Sequence, residues 1–179
     1  CVSKNIRVPY QRPQHLATDS SSMIDVIIDV LDWLKENKNT CPDKVVLLQP
    51  TSPLRTSQDI DDGLSLMKSS NLDSLISVHS MSERPEECIR KQNGAWQYLT
   101  EVTNRIIQRQ DYIGNYYFIN GAIYAFTPSF IRNHQSLTQP GSQTALYEMP
   151  SYRGIDIDTF EDLYKAEAYL SHSKLCPNT

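Results

Sequence analysis

Apolar residues return at helical spacing behind a run of small polar ones near the start of the chain. After Thr18-Asp19-Ser20-Ser21-Ser22, positions 23, 24, 27, 28, 31 and 34 carry Met, Ile, Ile, Ile, Leu and Leu. The spacing predicts a helix over about 20–37, capped by a serine or threonine and stopped by Asn37-Lys38-Asn39-Thr40. Val45-Val46-Leu47-Leu48 is a short run apolar on both faces, which predicts an internal, parallel strand. Thr56 and Asp59 form a capping-box variant before Ile60, Leu64 and Met67, a second helical stripe. Leu75-Ile76-Ser77-Val78 predicts a second strand. This alternation of strand, loop, helix and strand points to α/β layering.

The rhythm then breaks. Cys88 to Lys91, Asn93-Gly94 and Ala95 to Leu99 spell a hairpin with a primed turn. The stretch 100–118 is polar and aromatic without a clean period. Ala122-Ile123-Tyr124-Ala125-Phe126 predicts a strand, with Asn120-Gly121 as a turn just before it. Ile155 and Ile157 alternate with Asp156 and Asp158, a further strand pattern. Thr159 with Asp162 caps a last helix to about residue 170, carrying Phe160, Leu163, Ala166 and Leu170. Residues 1–80 and 119–179 therefore read as one α/β core, with about 81–118 an excursion from it. The chain has no internal repeat and no low-complexity tract.

Composition narrows the function classes. A length of 179 residues, with 39% hydrophobic and 21% charged residues, suits a single globular domain. A net charge of −4 argues against a partner held through phosphate contacts along a nucleic acid. The longest purely apolar run is far too short to span a bilayer, and the opening residues lack a signal-peptide layout. The cysteines at 1, 41, 88 and 176 form no CxxC pair, so neither a zinc ribbon nor a disulfide scaffold is indicated, and a reducing cytoplasm is the simplest compartment. Glycines at 63, 94, 114, 121, 141 and 154 are never closer than seven residues, which excludes a GxGxxG or Walker loop in this chain. His15, His79, His134 and His172 are scattered and pair with no cysteine or second histidine in a metal-binding spacing.

Three constellations can carry chemistry. Gln49-Pro50-Thr51-Ser52-Pro53-Leu54-Arg55 lies between a strand and a capped helix, where ligands sit in α/β folds. Its prolines stiffen the loop, and Gln49, Thr51, Ser52 and Arg55 supply polar groups for a base or sugar. The plain alternative is a stiff turn with a surface arginine. On a strand, Asp156 and Asp158 would point to one face, a donor set suited to Mg²⁺ shared with a phosphate. The plain alternative is that Asp158 or Thr159 caps the next helix. Arg105 and Arg109 precede Tyr112, Tyr116, Tyr117 and Phe118 and lead to Asn120-Gly121, a set able to clamp a carboxylate and face a sugar. Here the alternative is a solvated arginine pair beside a tyrosine-rich interface.

In order along the chain, these motifs resemble one family. The run comprises Arg12-Pro13 with Leu16-Ala17-x-Asp19, Leu48-Gln49-Pro50-Thr51-Ser52-Pro53-Leu54-Arg55, Arg109-Gln110-Asp111, Asn120-Gly121-Ala122-Ile123-Tyr124 and Asp156-Ile157-Asp158-Thr159-x-x-Asp162-Leu163. It resembles the acylneuraminate cytidylyltransferases, the CMP-sialic acid synthetases, over about residues 8–170. The resemblance implies a nucleotide-diphosphosugar-transferase-like (Rossmann-like) three-layer α/β sandwich. It implies transfer of CMP from CTP to the anomeric hydroxyl of a nonulosonic acid, with release of pyrophosphate. It implies a homodimer in which the 81–118 excursion reaches over the partner's site. Gln49 is then a sugar contact, Arg109 a sugar-carboxylate or lid arginine, Asn120 and Gly121 site-lining residues, and Asp156 and Asp158 the Mg²⁺ ligands.

The sequence departs from the family in three places. The family's opening strand and Pro-Ala-Arg-x-Gly-Ser-Lys loop have no match here, and the chain begins with Cys1, so an upstream segment is expected. Arg84-Pro85-Glu86-Glu87 places acid where the family often has a lysine, and Phe118 stands where some members have an arginine. Both departures leave the acceptor open among sibling nonulosonic acids. Two other functions stay open at the level of sequence. One is a non-catalytic module that binds a sugar acid or dimerises. The other is a CMP-ulosonate synthetase with a different acceptor.

Overall fold

The computed structural model describes residues 8–99, 115–141 and 143–175, with side chains as far as Ser171. Helix α1, Met23–Lys38, starts where the serine run ends: the Ser22 hydroxyl oxygen accepts from the Ile24 amide at 3.2 Å. It stops at Asn39, which takes a left-handed conformation (φ 45°) while its amide donates to the Leu34 carbonyl. Asp25 in the first turn and Lys35 and Lys38 in the last oppose the helix dipole. Strand β1, Val45–Leu47, follows, and then α2, Ser57–Ser69. The Thr56 amide and hydroxyl both donate to Asp59 Oδ2 at 2.7 Å, and the Asp59 amide donates back to Thr56 Oγ1 at 3.2 Å. The expected capping box is thus formed.

Strand β2 spans Ser74–Ser80, and hairpin strands β3 and β4 span Ile89–Gln92 and Ala95–Tyr98. The hairpin pairs Gln92 with Ala95 across Asn93 (φ 53°) and Gly94 (φ 81°). Two successive positive φ values define the primed turn that Asn-Gly favours. Strand β5, Tyr117–Phe126, precedes α3, Pro128–His134, then β6, Thr144–Glu148, and α4, Phe160–Leu175. Helix α3 and strand β6 have no counterpart in the sequence reading. Both are short, and neither offers a full period of apolar positions. Short 3-10 turns occur at Gln14–Leu16, Pro85–Glu87 and Ser151–Gly154.

The larger sheet has strand order β1-β5-β2-β6, and β3-β4 stand as a separate ribbon. Three expectations are corrected. Strand β1 is not internal and parallel among the described residues: it ends the strand order and runs antiparallel to β5, with Val45 opposite Phe126 and Leu47 opposite Tyr124. An apolar run reports burial, not the direction of the neighbouring strand. Asn120-Gly121 is not a turn before the strand but lies inside β5, with Gly121 at φ 71°. A glycine can take that conformation without steric cost, so the strand continues through it. Ile155–Thr159 is not a strand. Its backbone makes one hydrogen bond to a neighbouring loop, from the Ile157 amide to the Thr51 carbonyl at 2.8 Å, too little for a ladder.

Contacts divide the chain into two compact units. The first takes the described residues within Cys1–Leu48, Ile60–Ile76 and Ile123–Ala145. Its core is Ile27, Leu31, Phe126, Phe130 and Ile131, flanked by Ile24, Val45, Leu47, Tyr124 and Leu137. Thr127 caps α3 by accepting from the Phe130 amide at 3.2 Å, with Pro128 opening the helix. Ser74, fully buried in this unit, is satisfied by Thr144 Oγ1 at 2.7 Å and the Gln143 carbonyl at 3.1 Å. The second unit takes those within Gln49–Asp59, Ser77–Ala122 and Leu146–Thr179. It contains the Gln49–Arg55 loop, Asn120-Gly121 and the Ile155–Thr159 segment. Among the described residues no helix is long and apolar enough to cross a membrane.

Candidate active site

The Gln49–Arg55 loop closes on itself. The Ser52 amide donates to the Gln49 carbonyl at 3.3 Å. Arg55 fills the inside of the loop: its Nη1 donates to the carbonyls of Gln49 at 2.6 Å, Ser52 at 2.8 Å and Ala122 at 3.3 Å. Burial pulls the Arg55 pKa below its ordinary value, yet the three carbonyl dipoles face the charge. This guanidinium therefore braces the loop and ties it to β5. Thr51 is half-buried, and Ser52 is fully buried with an Oγ that has no hydrogen-bond partner. Gln49 is half-buried at the loop's start.

Asn120 is 4% exposed. Its Oδ1 accepts from the Ser77 hydroxyl at 2.6 Å and from the Ala122 amide at 3.2 Å. Those two donors require the amide oxygen on that side, which leaves Nδ2 as a donor without a partner. Gly154 lies against it: a Cβ at that position would fall 2.4 Å from Asn120 Nδ2. Only a residue without a side chain permits this approach.

The aspartates follow at once. Asp156 is half-buried with its Oδ1 buried and unpartnered, and Asp158 is exposed. The cap of α4 is made by Thr159 and Asp162, with the Thr159 amide and hydroxyl donating to Asp162 Oδ2 at 3.1 and 2.7 Å. These bonds hold the Asp162 pKa below the usual carboxylate range. Helix capping therefore does not occupy the Asp156 or Asp158 carboxylates. Arg109 lies outside the described residues, and among those described no cluster of three histidine, cysteine, aspartate or glutamate residues forms a metal cage.

The structure thus brings the Gln49 loop, Asn120-Gly121 and the Asp156 segment together within one unit. The links are Arg55 to Ala122, Ile157 to Thr51 and Gly154 to Asn120. Each segment contributes one buried, unpartnered polar atom: Ser52 Oγ, Asn120 Nδ2 and Asp156 Oδ1. Buried polar groups are nearly always hydrogen-bonded, so these three atoms define the candidate site. Two further unpartnered atoms, His79 Nδ1 and Glu86 Oε2, belong to the same unit, where the His79 ring lies 5.6 Å from that of Phe118.

Sequence reasoning missed Ser77, Gly154, Arg153 and Tyr147. Ser77 sits in an apolar strand with no motif around it. Gly154 could have been noticed as a glycine directly before the aspartate pattern, and Asp59 was legible only as a helix cap. Arg153 and Tyr147 reach Asp59 across more than 85 positions of chain, a contact no local pattern encodes.

Known proteins carry the same fold. The solved structure of CMP:2-keto-3-deoxy-manno-octonic acid synthetase complexed with CTP superimposes with a TM-score of 0.53 at 17% identity, covering 87% of this chain and 70% of that one. The class is therefore an α/β fold shared with that synthetase. No family model matches the chain. Among curated proteins, it is 32% identical over 163 residues to CMP-N,N'-diacetyllegionaminic acid synthase of Legionella pneumophila, covering 88% of this chain and 66% of that protein. It is 26% identical over 171 residues to N-acylneuraminate cytidylyltransferase of Streptococcus agalactiae serotype V, covering 95% of this chain and 39% of that protein. A third relative, post-translational flagellin modification protein B of Campylobacter coli, is 26% identical over 167 residues, covering 93% of this chain and 69% of that protein. The chain belongs to the acylneuraminate cytidylyltransferase family. It spans about two fifths of the length of the streptococcal relatives it matches.

Proposed function

We propose that the protein carrying this chain is a cytidylyltransferase that joins CMP from CTP to the anomeric hydroxyl of a nonulosonic acid. In that reaction the sugar oxygen bonds to the α-phosphorus, the bond between the α- and β-phosphates breaks, and pyrophosphate and the hydroxyl proton leave. The observation that carries this reading is the convergence of three motifs, each with a buried polar atom free to meet a ligand. Family membership agrees with it.

Gln49 is assigned to the sugar, with Thr51 and Ser52 as further polar groups of the loop. Arg55 acts from inside the loop by holding its carbonyls. Asn120 offers Nδ2 as a fixed donor, and Gly121 lets β5 pass beside it. Asp156 and Asp158 would hold Mg²⁺. The Asp156 Oδ1, buried without a partner, fits a hard cation that takes oxygen ligands and shares them with phosphate. When bound, Mg²⁺ supplies charge neutralisation at the α-phosphate and eases loss of the hydroxyl proton. The chain's own part is to orient the hydroxyl in line with the leaving pyrophosphate. Arg109 is assigned to the sugar carboxylate or a site lid. The names of the relatives support an acceptor of the sialic or legionaminic type.

The 81–118 excursion is assigned to a homodimer interface, and the enzyme to the cytoplasm. In support of an interface, the hairpin exposes Ile89, Trp96, Tyr98 and Leu99. The test is Mg²⁺- and CTP-dependent pyrophosphate release by the native protein. Asp158→Ala is expected to abolish it, and activity that survives undiminished in the folded variant would sink the metal assignment.

A further inference from the structure

The same Thr-x-x-Asp cap occurs twice in this chain, in two very different settings. At α4, the Asp162 side chain is a quarter exposed and its second oxygen faces Lys165 at 3.6 Å, a surface arrangement. At α2, Asp59 is 1% exposed. A helix cap needs only one carboxylate oxygen, and Asp59 Oδ2 fills that need by accepting from the Thr56 amide and hydroxyl. Oδ1 is engaged separately. It accepts from Arg153 Nη1 at 2.8 Å and from the Tyr147 hydroxyl at 3.2 Å. Burying a carboxylate this fully is expensive in solvation, and a surface cap would serve α2 as well. The second oxygen therefore does something that capping does not require.

Its partner shows what that is. Arg153 lies in the Ser151–Gly154 turn, directly before Gly154 and three residues before Asp156. The segment beyond it has no strand pairing to fix its course. Three contacts fasten it instead: Arg153 to Asp59, Gly154 beneath Asn120, and the Ile157 amide to the Thr51 carbonyl. The first of these is the only charged one. Asp59 lies four residues beyond Arg55, at the end of the Gln49 loop that the same segment must face.

We infer that Asp59 and Arg153 are positioning residues. Their ion pair, with Asp59 buried and Arg153 half-buried, fastens the segment bearing Asp156 and Asp158 to the start of α2, and so sets the aspartates against the Gln49 loop. This inference rests on the assignment of Asp156 and Asp158 as metal ligands. Groups that orient a metal ligand from behind typically change metal affinity by about 10–100-fold when removed.

The test uses Mn²⁺ as the probe, titrated by electron paramagnetic resonance into the native protein with CTP present, beside hydrogen exchange at the Ile157 amide. Arg153→Met is expected to speed exchange at Ile157 and weaken Mn²⁺ binding by about tenfold or more. Arg153→Lys, which keeps the charge but not the fork, is expected to fall between it and the unaltered protein. A folded Arg153→Met protein with unchanged Mn²⁺ affinity overturns the inference, even if Ile157 exchanges faster, because the ion pair would then be structural only. Should Arg153→Met not fold, an Arg153→Lys protein with the unaltered affinity overturns it equally. If the unaltered protein binds no Mn²⁺, the metal-ligand assignment itself fails and the inference falls with it. That result is distinct because it appears before any substitution is made.

Discussion

The Asp59 carboxylate accepts hydrogen bonds from Thr56, Tyr147 and Arg153. Burial would raise its pKa. The Thr56 hydrogen bonds and the Arg153 pair outweigh that and hold it below the usual carboxylate range. The sign of the linkage follows: a depressed carboxyl contributes stability that is present above the unfolded value, about pH 4, and is lost as pH falls through the folded value. Asp59→Ala leaves Arg153 without its partner and is expected to cost about 3 kcal/mol near neutral pH. Urea denaturation should show that gap closing below about pH 4. A gap that stays constant down to pH 2 would contradict the ion pair. Gly154 makes a second residue-scale case. An added methyl meets Asn120 at 2.4 Å, so Gly154→Ala should destabilise the fold by about 1–3 kcal/mol in the same assay. A neutral result would mean that Asn120 is free to move away, and its Nδ2 would no longer be a fixed donor.

Elements were legible from the sequence wherever a local rule sufficed. The serine cap and apolar stripe of α1, the capping boxes at Thr56 and Thr159, and the Asn93-Gly94 turn all state their structure within a few residues. The failures have a common cause in tertiary context. Ile155–Thr159 alternates like a strand, yet no strand pairs with it among the described residues, and it remains an irregular segment with a single backbone hydrogen bond to the Gln49 loop. Helix α4 runs to Leu175 although its apolar stripe is weak, with Phe160 78% exposed and Ala166 buried. The β3-β4 hairpin poses the opposite question, since its Trp96 and Tyr98 rings meet edge to face at 5.6 Å and are exposed. Trp96→Ala should change the stability of the isolated protomer by no more than about 0.5 kcal/mol. If the ribbon is a dimer contact, sedimentation equilibrium should show self-association weakened by about tenfold or more. Unchanged association would remove this ribbon from the interface.

For the molecule as a whole, the candidate site was legible as a set of motifs but not as a geometry. The sequence named Gln49, Asn120, Asp156 and Asp158. It did not reveal that Arg55 turns inward on three carbonyls, or that Ser77 fixes which end of the Asn120 amide is free. The Arg55–Ala122 and Ser77–Asn120 bonds join residues more than 40 positions apart, and the second decides which end of the Asn120 amide is left for a ligand. The central claim is that those atoms serve transfer of CMP to a nonulosonic acid. The most direct test incubates the native protein with CTP, Mg²⁺ and, in parallel, N-acetylneuraminic acid and N,N'-diacetyllegionaminic acid, and follows CMP-sugar formation by mass spectrometry. The account predicts a CMP-sugar with at least one of the two, together with an equal amount of pyrophosphate, and none without Mg²⁺. A folded protein that binds no CTP and forms neither product would contradict it.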